Sequence, residues 1–434
     1  MRTYIIGIWL VLFAIVLWFL FVQPAKEDLP SGKVQIKFAI WGGVAERHAW
    51  AEMERDFESK NPDIDVKIEL IPIKYDEKLL AMLAAGTAPD IFTLAIADFG
   101  PKNVYLPIDS FLVNDPNFDK DAFLPGLFET GYWRGQLFSV FDKVSTQLLF
   151  YNKIHFEEAG LPTPNEYAER GEWNWSTFRK VCKKLVKRDE RGRIIRYAFQ
   201  YYYPIWNYVY LFGGQPFTSD YTKCNFDDPR VAQALQALAD LTLVDSVMVP
   251  FEFKKQFGEG WQPFYNEKVS MFISGPYQIT RLTPLAGKYD VAPPPLEPGG
   301  KVMTIGGNVV TGIWRKSKHP HEAYRWLSYL WSPIAQKIWA KLGFDLPGLK
   351  TLAEHPEEWI DTTIVPEHFH LFYDIAKDTF SPPAAIYPRI PHKLNISKMH
   401  ETLWEEYIRA GKKTAKQALM DMQPEAQRIL DRGY

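Results

Sequence analysis

Residues 75–94, YDEKLLAMLAAGTAPDIFTL, constrain the fold more than any other part of the chain. The first half predicts an amphipathic helix that ends in small apolar residues. Gly86 supplies the left-handed residue that closes a helix, and Pro89 cannot extend one. Asp90 then opens the apolar run Ile91, Phe92, Thr93 and Leu94, which suits a strand covered on both faces. Upstream, Val34, Ile36, Phe38 and Ile40 alternate with polar or small residues, as do Val66, Ile68 and Leu70. Between these two strands Trp50, Met53 and Phe57 share one helical face that Asn61-Pro62 terminates. The local order is therefore β-α-β-α-β. That order implies an α/β fold with a parallel, doubly wound sheet, whose ligands bind at the carboxyl ends of the strands.

With 434 residues the chain has room for two lobes, each with its own core. A formal net charge of -2 offers no basic excess for nucleic acid. The 29 Phe, 22 Tyr and 15 Trp are mostly core material, but so many tryptophans imply that some line a site. Cys182 and Cys224 fit no metal pattern. A disulfide between them stays open, although Cys182 falls on the apolar face of a predicted helix.

At the N-terminus Arg2 precedes an uncharged run over residues 4–22, and Pro24, Lys26, Glu27 and Asp28 come after it. A spanning helix needs about 20 apolar residues and a signal-peptide core about 7–15. Gln23 before Ala25 is a poor cleavage site. An uncleaved anchor is therefore expected, with a cleaved signal peptide as the alternative, and either exports the body. Residues 23–32 (QPAKEDLPSG) form a polar tether.

Further on, Phe178, Val181, Cys182, Leu185 and Val186 form a helical stripe with Ser176 as its expected cap. Asp228-Pro229 opens a second helix with Val231, Ala234, Leu235, Leu238 and Leu241 on one face. Ser332-Pro333 starts a third, which ends by Gly343. Terminal helices are expected over 397–409 and 414–431. No Gly-x-Ser-x-Gly elbow, P-loop or His-Glu-x-x-His motif is present. The pairs His319/His321 and His368/His370 are spaced i,i+2, which does not place both on one helix face, and they are expected to be solvated.

Five segments occur in a telling order: FESKNPDIDVKIELIP, KLLAMLAAGTAPDIFTL, GYWRGQLFSVFDKVSTQLLFYNKIHFEEAGLPTP, FGEGWQPFYNEKVSMFISGPYQ and IGGNVVTGIWRKSKHPHEAYRWLSYLWSPIAQ. In this the chain resembles the extracellular solute-binding proteins (family 1) of carbohydrate ABC importers, the group that includes maltose-binding protein. The resemblance implies a two-lobed periplasmic-binding-protein-like fold of type II. Each lobe would be a doubly wound sheet with flanking helices, and the ligand would sit in the interlobe cleft. The expected division is residues 1–24 as signal anchor or signal peptide and 25–32 as linker. Residues 33–144 and 296–347 would form the N-terminal lobe, and 145–295 and 348–434 the C-terminal lobe. The chain departs from the family's pattern at Phe141, where a Pro is usual, at Tyr277, where Gly-Pro-Trp is common, and in lacking the lipoprotein Cys.

A sugar needs flat rings for its C–H faces and carboxylates, amides or Arg for its hydroxyl rim. Trp41, Gly42 and Gly43 stand just past the first strand, at the carboxyl end of the sheet, and are expected in the cleft. Glu46 is either a hydroxyl contact or an acid that favours the helix N-terminus. Asp98 comes after the third strand and is a binding residue or a loop acid. The resemblance puts Asp142 at the first interlobe crossing, as a polar contact or in a hinge salt bridge, and implies a stacking ring from Trp206, although a packed aromatic layer is the other possibility there. It further implies a stacking role for Tyr277, while Gly307 and Asn308 offer bare backbone and an amide. Arg389 near the last crossing is a contact or a surface charge.

The expected function is capture of a sugar, an oligosaccharide, and its delivery by a monomer to the transmembrane permease subunits of an ABC importer. No catalysis, cofactor, metal or nucleic acid is called for. A sugar sensor feeding a membrane receptor or kinase would use the same lobes. A glycoside hydrolase would need two facing acids, for which Glu46, Asp98 and Asp142 are only generic candidates.

Overall fold

The computed structural model describes residues 32–94, 104–116, 118–124, 127, 131–133, 135–139, 143–201, 205–218, 222–250, 260–302, 304–306, 310–343, 345–379, 399 and 402–431. Among them no helix is long and apolar enough to cross a membrane, and the run 4–22 lies outside them.

In chain order the strands begin with β1 (Val34–Ile40), β2 (Ile64–Leu70) and β3 (Ile91–Leu94). A short hairpin, β4 (Tyr132–Trp133) and β5 (Gln136–Leu137), precedes β6 (Lys143–Thr146) and β7 (Leu148–Asn152). Next come β8 (Lys187–Arg188), β9 (Ile194–Gln200), β10 (Val269–Ser274) and β11 (Tyr289–Ala292). The last are β12 (Thr304–Gly306), β13 (Val310–Ile313) and β14 (Leu346–Pro347).

Apart from the β4-β5 hairpin, the described strands form two principal sheets and a smaller third one. The first has the order β13-β3-β1-β2, with β1 parallel to both neighbours. The helix between β1 and β2 is α1 (Val44–Lys60), and α2 (Tyr75–Ala85) links β2 to β3. Gly86 has φ +71°, and its N–H reaches the Leu83 carbonyl. The expected β-α-β-α-β unit is thus present, with the antiparallel edge strand β13 added. The second sheet, β11-β7-β10-β9-β8, is mixed: only β9 and β10 run parallel, and β7 is antiparallel to both neighbours. A third, small sheet, β12-β6-β14, joins segments that the chain reaches from both sides.

Two cores result from this two-domain α/β arrangement. One packs α1, α2 and the helices α6 (Pro320–Leu330) and α7 (Pro333–Ala340) on the first sheet. Trp326 meets Phe57 edge-on there, with ring centroids 5.1 Å apart. The other packs α3 (Trp175–Leu185), α4 (Trp206–Leu211), α5 (Pro229–Leu243) and the terminal helix α9 (Ala415–Asp431) on the second sheet. Asn174, not Ser176, caps α3: its side chain accepts from the Thr177 N–H at 3.0 Å, ahead of the expected start. Asp228 and Ser332 cap α5 and α7 as expected. Cys182 and Cys224 are free thiols buried in the second core, and burial pushes both above the usual thiol range. Helix α8 (Leu371–Thr379), with Trp359, Phe369 and Phe372, packs into the first cluster, which also takes in Phe150, Phe272 and Tyr289 from one face of the second sheet; Phe372 lies 6.2 Å from Phe150.

One expectation about histidine fails. His368 is no solvated surface group: its Nδ1 lies 2.6 Å from Oδ2 of the buried Asp290. Asp290 also accepts from the Tyr151 hydroxyl and from the backbone N–H groups of Val291 and His368. Glu367 brings a third ligand-type atom close by. The four hydrogen bonds on Asp290 make this a clamp between β11 and the 366–370 segment.

Candidate functional site

Strand register places Trp41 at the end of the first sheet. Trp41 stands just past the carboxyl end of β1, and Phe92 of β3 pairs with Ala39 beside it. The Tyr75 hydroxyl ties these two strand ends, donating to the Ala39 carbonyl at 2.9 Å and accepting the Thr93 N–H at 3.1 Å. Burial holds this phenol well above the usual range, so it stays a neutral donor. Its ring is also the support for Trp41: the two meet edge-on, 5.5 Å apart. Trp41 is 39 % exposed and keeps ring surface toward solvent.

From β3 the ladder continues outward. Leu94, at its end, pairs with Val310, at the start of β13. Gly306, at the end of β12, pairs with Val144, near the start of β6. Asp98, Asp142, Gly307 and Asn308 lie outside the described residues, as does Arg389. Even so, the segments that flank the first four meet through these two ladders. Strand β6 then reaches the second sheet. At Gly275 a β-carbon would run into the Ser145 hydroxyl and the Tyr277 ring, so a larger residue would force these side chains to shift. Two residues on stands Tyr277, half-buried, accepting from the Ser274 hydroxyl at 2.9 Å, with the Arg281 guanidinium 5.8 Å from its ring centre. Trp41 and Tyr277 thus stand past the carboxyl ends of β1 and β10, one on each principal sheet.

Two expected residues have other work. Trp206 is 1 % exposed and stacks on Phe226 at 5.2 Å, with Phe217 edge-on at 5.8 Å. It belongs to the aromatic layer under α4 and offers a ligand no face. Neighbouring Tyr201 packs on Trp404 and under Arg409. One carboxylate oxygen of Glu46 accepts the Gly43 N–H at 2.9 Å, so this acid serves the start of α1. Sequence patterns did not single out Tyr75, whose role depends on a hydroxyl reaching across two strands. The nearest signal was its position opening the helix before β3.

A groove of about 1070 Å³ lies apart from these strand ends, between the 110–123 segment and α6. Its polar groups answer one another: Asp115 accepts from Tyr324 and Ser328, and Arg325 pairs with Asp63.

Residues 41–337 match the family of bacterial extracellular solute-binding proteins, well over half of the chain. The chain belongs to that family. It is a binding protein by descent, not an enzyme, and the family's site of action is extracytoplasmic. This solute-binding protein is 25 % identical over 334 residues to a putative binding protein of Brucella abortus, covering 73 % of this chain and 75 % of that one. It is 23 % identical to the arabinooligosaccharide-binding protein of Bacillus subtilis, covering 74 % and 75 %. Among solved structures, the sugar-binding protein MalE of Xanthomonas citri superposes with a TM-score of 0.73 at 22 % identity, over 92 % of this chain and 98 % of that one. An ABC substrate-binding protein of Listeria monocytogenes in complex with cycloalternan gives 0.71 at 20 %, covering 92 % and 99 %. These likenesses establish the fold.

Proposed function

We propose that this solute-binding protein captures a neutral sugar, an oligosaccharide, between its two lobes and delivers it to the permease subunits of an ABC importer. The observation that carries the reading is a series of strand pairings, β1 with β3, β3 with β13 and, separately, β12 with β6, with Trp41 past the end of β1 and Tyr277 past the end of β10. Two aromatic rings, and the flanks of Asp98, Asp142 and Asn308, lie at these strand ends. Rings suit the C–H faces of a sugar, and carboxylates and amides suit its hydroxyls. The sugar-binding relatives support the same ligand class. Capture requires no chemistry: lobes that close on the ligand present a shape the permease can recognise. The sequence run 4–22 would hold the body at the membrane.

A thermal-shift screen of residues 33–434 against mono- and oligosaccharides tests the ligand. A sugar at a hundredfold excess over its dissociation constant adds about 2.7 kcal/mol of stability. Absence of any shift across the sugars defeats the carbohydrate reading. Anchoring is tested separately: the intact protein should stay in the membrane fraction with Met1 or Arg2 at its N-terminus, and a mature end near Lys26 rejects it.

A further inference from the structure

Three amide side chains near one edge of the second sheet are buried, and some of their polar atoms lack hydrogen-bond partners among the described residues. Gln147 immediately precedes β7, where Leu148 pairs with Ser274 at the end of β10. Gln200 closes β9 and pairs with Phe272 of β10. The register therefore sets Gln147 and Gln200 near Ser274, at the carboxyl edge that leads into Gly275 and Tyr277. Asn207 is in the first turn of α4, next to Tyr208, whose ring lies 6.3 Å from that of Phe199, the residue before Gln200. Their exposures are 2 %, 6 % and 5 %. Oε1 of Gln147, Oε1 of Gln200 and both polar atoms of Asn207 have no partner among the described residues. The Gln147 amide orientation is fixed by its other end, since Nε2 faces the Ser145 carbonyl and hydroxyl at 3.3 and 3.4 Å. Reversing it would set Oε1 against the Ser145 carbonyl oxygen.

A buried amide atom without a partner costs about 1–3 kcal/mol. Three such residues near one strand edge, on the side where this fold takes its ligand, call for a common partner. The glutamine oxygens are acceptors, so that partner must donate. Asn207 both donates and accepts, as a hydroxyl does in return. We propose that Gln147, Gln200 and Asn207 are specificity-determining residues of the second lobe, taking hydrogen bonds from the hydroxyl rim of a neutral sugar. The proposal rests on the sugar-binding reading above and adds to it the residues that select hydroxyl donors. A ligand rich in phosphate or carboxylate oxygen would meet two acceptors and gain nothing from them.

The test compares the wild type with Gln147→Met, Gln200→Met and Asn207→Leu, which keep shape and remove the amide. Calorimetric titrations use arabinotriose, maltotriose and xylotriose, with spermidine and glycerol 3-phosphate as other solutes. The wild type should bind one of the sugars, and each variant should bind it at least tenfold more weakly. The melting temperature of the free Asn207→Leu variant should equal or exceed that of the wild type, because both polar atoms it removes lack partners among the described residues, whereas Gln147→Met also gives up the Nε2 contacts to Ser145. Should an apolar variant not fold, Gln200→Asn withdraws the same amide by one methylene and reads the same contact. Unchanged sugar affinity with a lowered melting temperature assigns the amides to internal solvation and overturns the proposal alone. A wild type that binds only spermidine or glycerol 3-phosphate, or none of the five, overturns the sugar reading and this proposal with it.

Discussion

Trp41 and Trp206 both stand beyond strands of principal sheets, β1 and β9, yet the fold uses them in opposite ways. Trp41 stands edge-on against Tyr75 with much of its ring in solvent. Trp206 is enclosed between Phe217 and Phe226. The difference lies in the local structure that succeeds each strand. After β1 the chain makes a glycine turn, and among the described residues the ring that supports Trp41 is that of Tyr75. Beyond β9 the indole opens a short apolar helix that docks on α5, and Phe217 and Phe226 cover the ring. An aromatic ring at a strand end becomes a binding surface only where the neighbouring element leaves one of its faces open.

The largest effect should come from the enclosed ring. Trp206→Ala leaves a large cavity in the second core and should cost about 3–5 kcal/mol, read from denaturant unfolding. Sugar affinity of the protein that remains folded should hold. A variant of wild-type stability with lost affinity would reverse the assignment and return Trp206 to the site.

Next in size is the support beneath the open ring. Tyr75→Phe removes the hydroxyl that joins the ends of β1 and β3, leaving the buried Thr93 N–H without that acceptor. The expected loss is about 1–3 kcal/mol of stability. The ring that Trp41 leans on is retained, so sugar affinity should change by much less than in Trp41→Ala. Unchanged stability would mean that the two strand ends do not depend on this bridge.

Trp41→Ala sharpens the comparison from the other side. A ring this exposed contributes little to the core, so the melting temperature of the free protein should barely move. Affinity should fall at least tenfold, about 1.4 kcal/mol. Titration calorimetry with the sugar that stabilises the wild type decides it, and unchanged affinity removes Trp41 from the site.

Much of this fold was legible from the chain. Alternation in 34–40 and 64–70 and the Gly86-Thr87-Ala88-Pro89 stop are local signals, and they located β1, β2, α2 and β3. The carboxyl end of β1 was therefore identifiable, and Trp41 with it. Trp206 was not distinguishable from Trp41 because its exposure depends on Phe217 and Phe226, which lie beyond its own helix in sequence. Gln147, Gln200 and Asn207 carried no signal at all: an amide without a partner is a property of the packed molecule. His368 was misjudged for the same reason, since its partner Asp290 lies 78 positions distant. The antiparallel strands of the second sheet were missed because short buried strands look alike whichever way they pair.

The smallest effect separates the two readings of the acid near Trp41. Glu46 sits in the first turn of α1 and accepts the Gly43 N–H. A carboxylate there also meets the positive end of the helix dipole. Glu46→Ala should therefore cost about 0.3–1 kcal/mol of stability, with sugar affinity held within about twofold. Glu46→Gln keeps an oxygen for the Gly43 N–H and gives up only the charge, so it should fall between the wild type and Glu46→Ala. A tenfold affinity loss in both variants, at wild-type stability, would show instead that this carboxylate serves a sugar hydroxyl. The open ring of Trp41 and its neighbouring acid would then act as one unit, in contrast to the closed layer around Trp206.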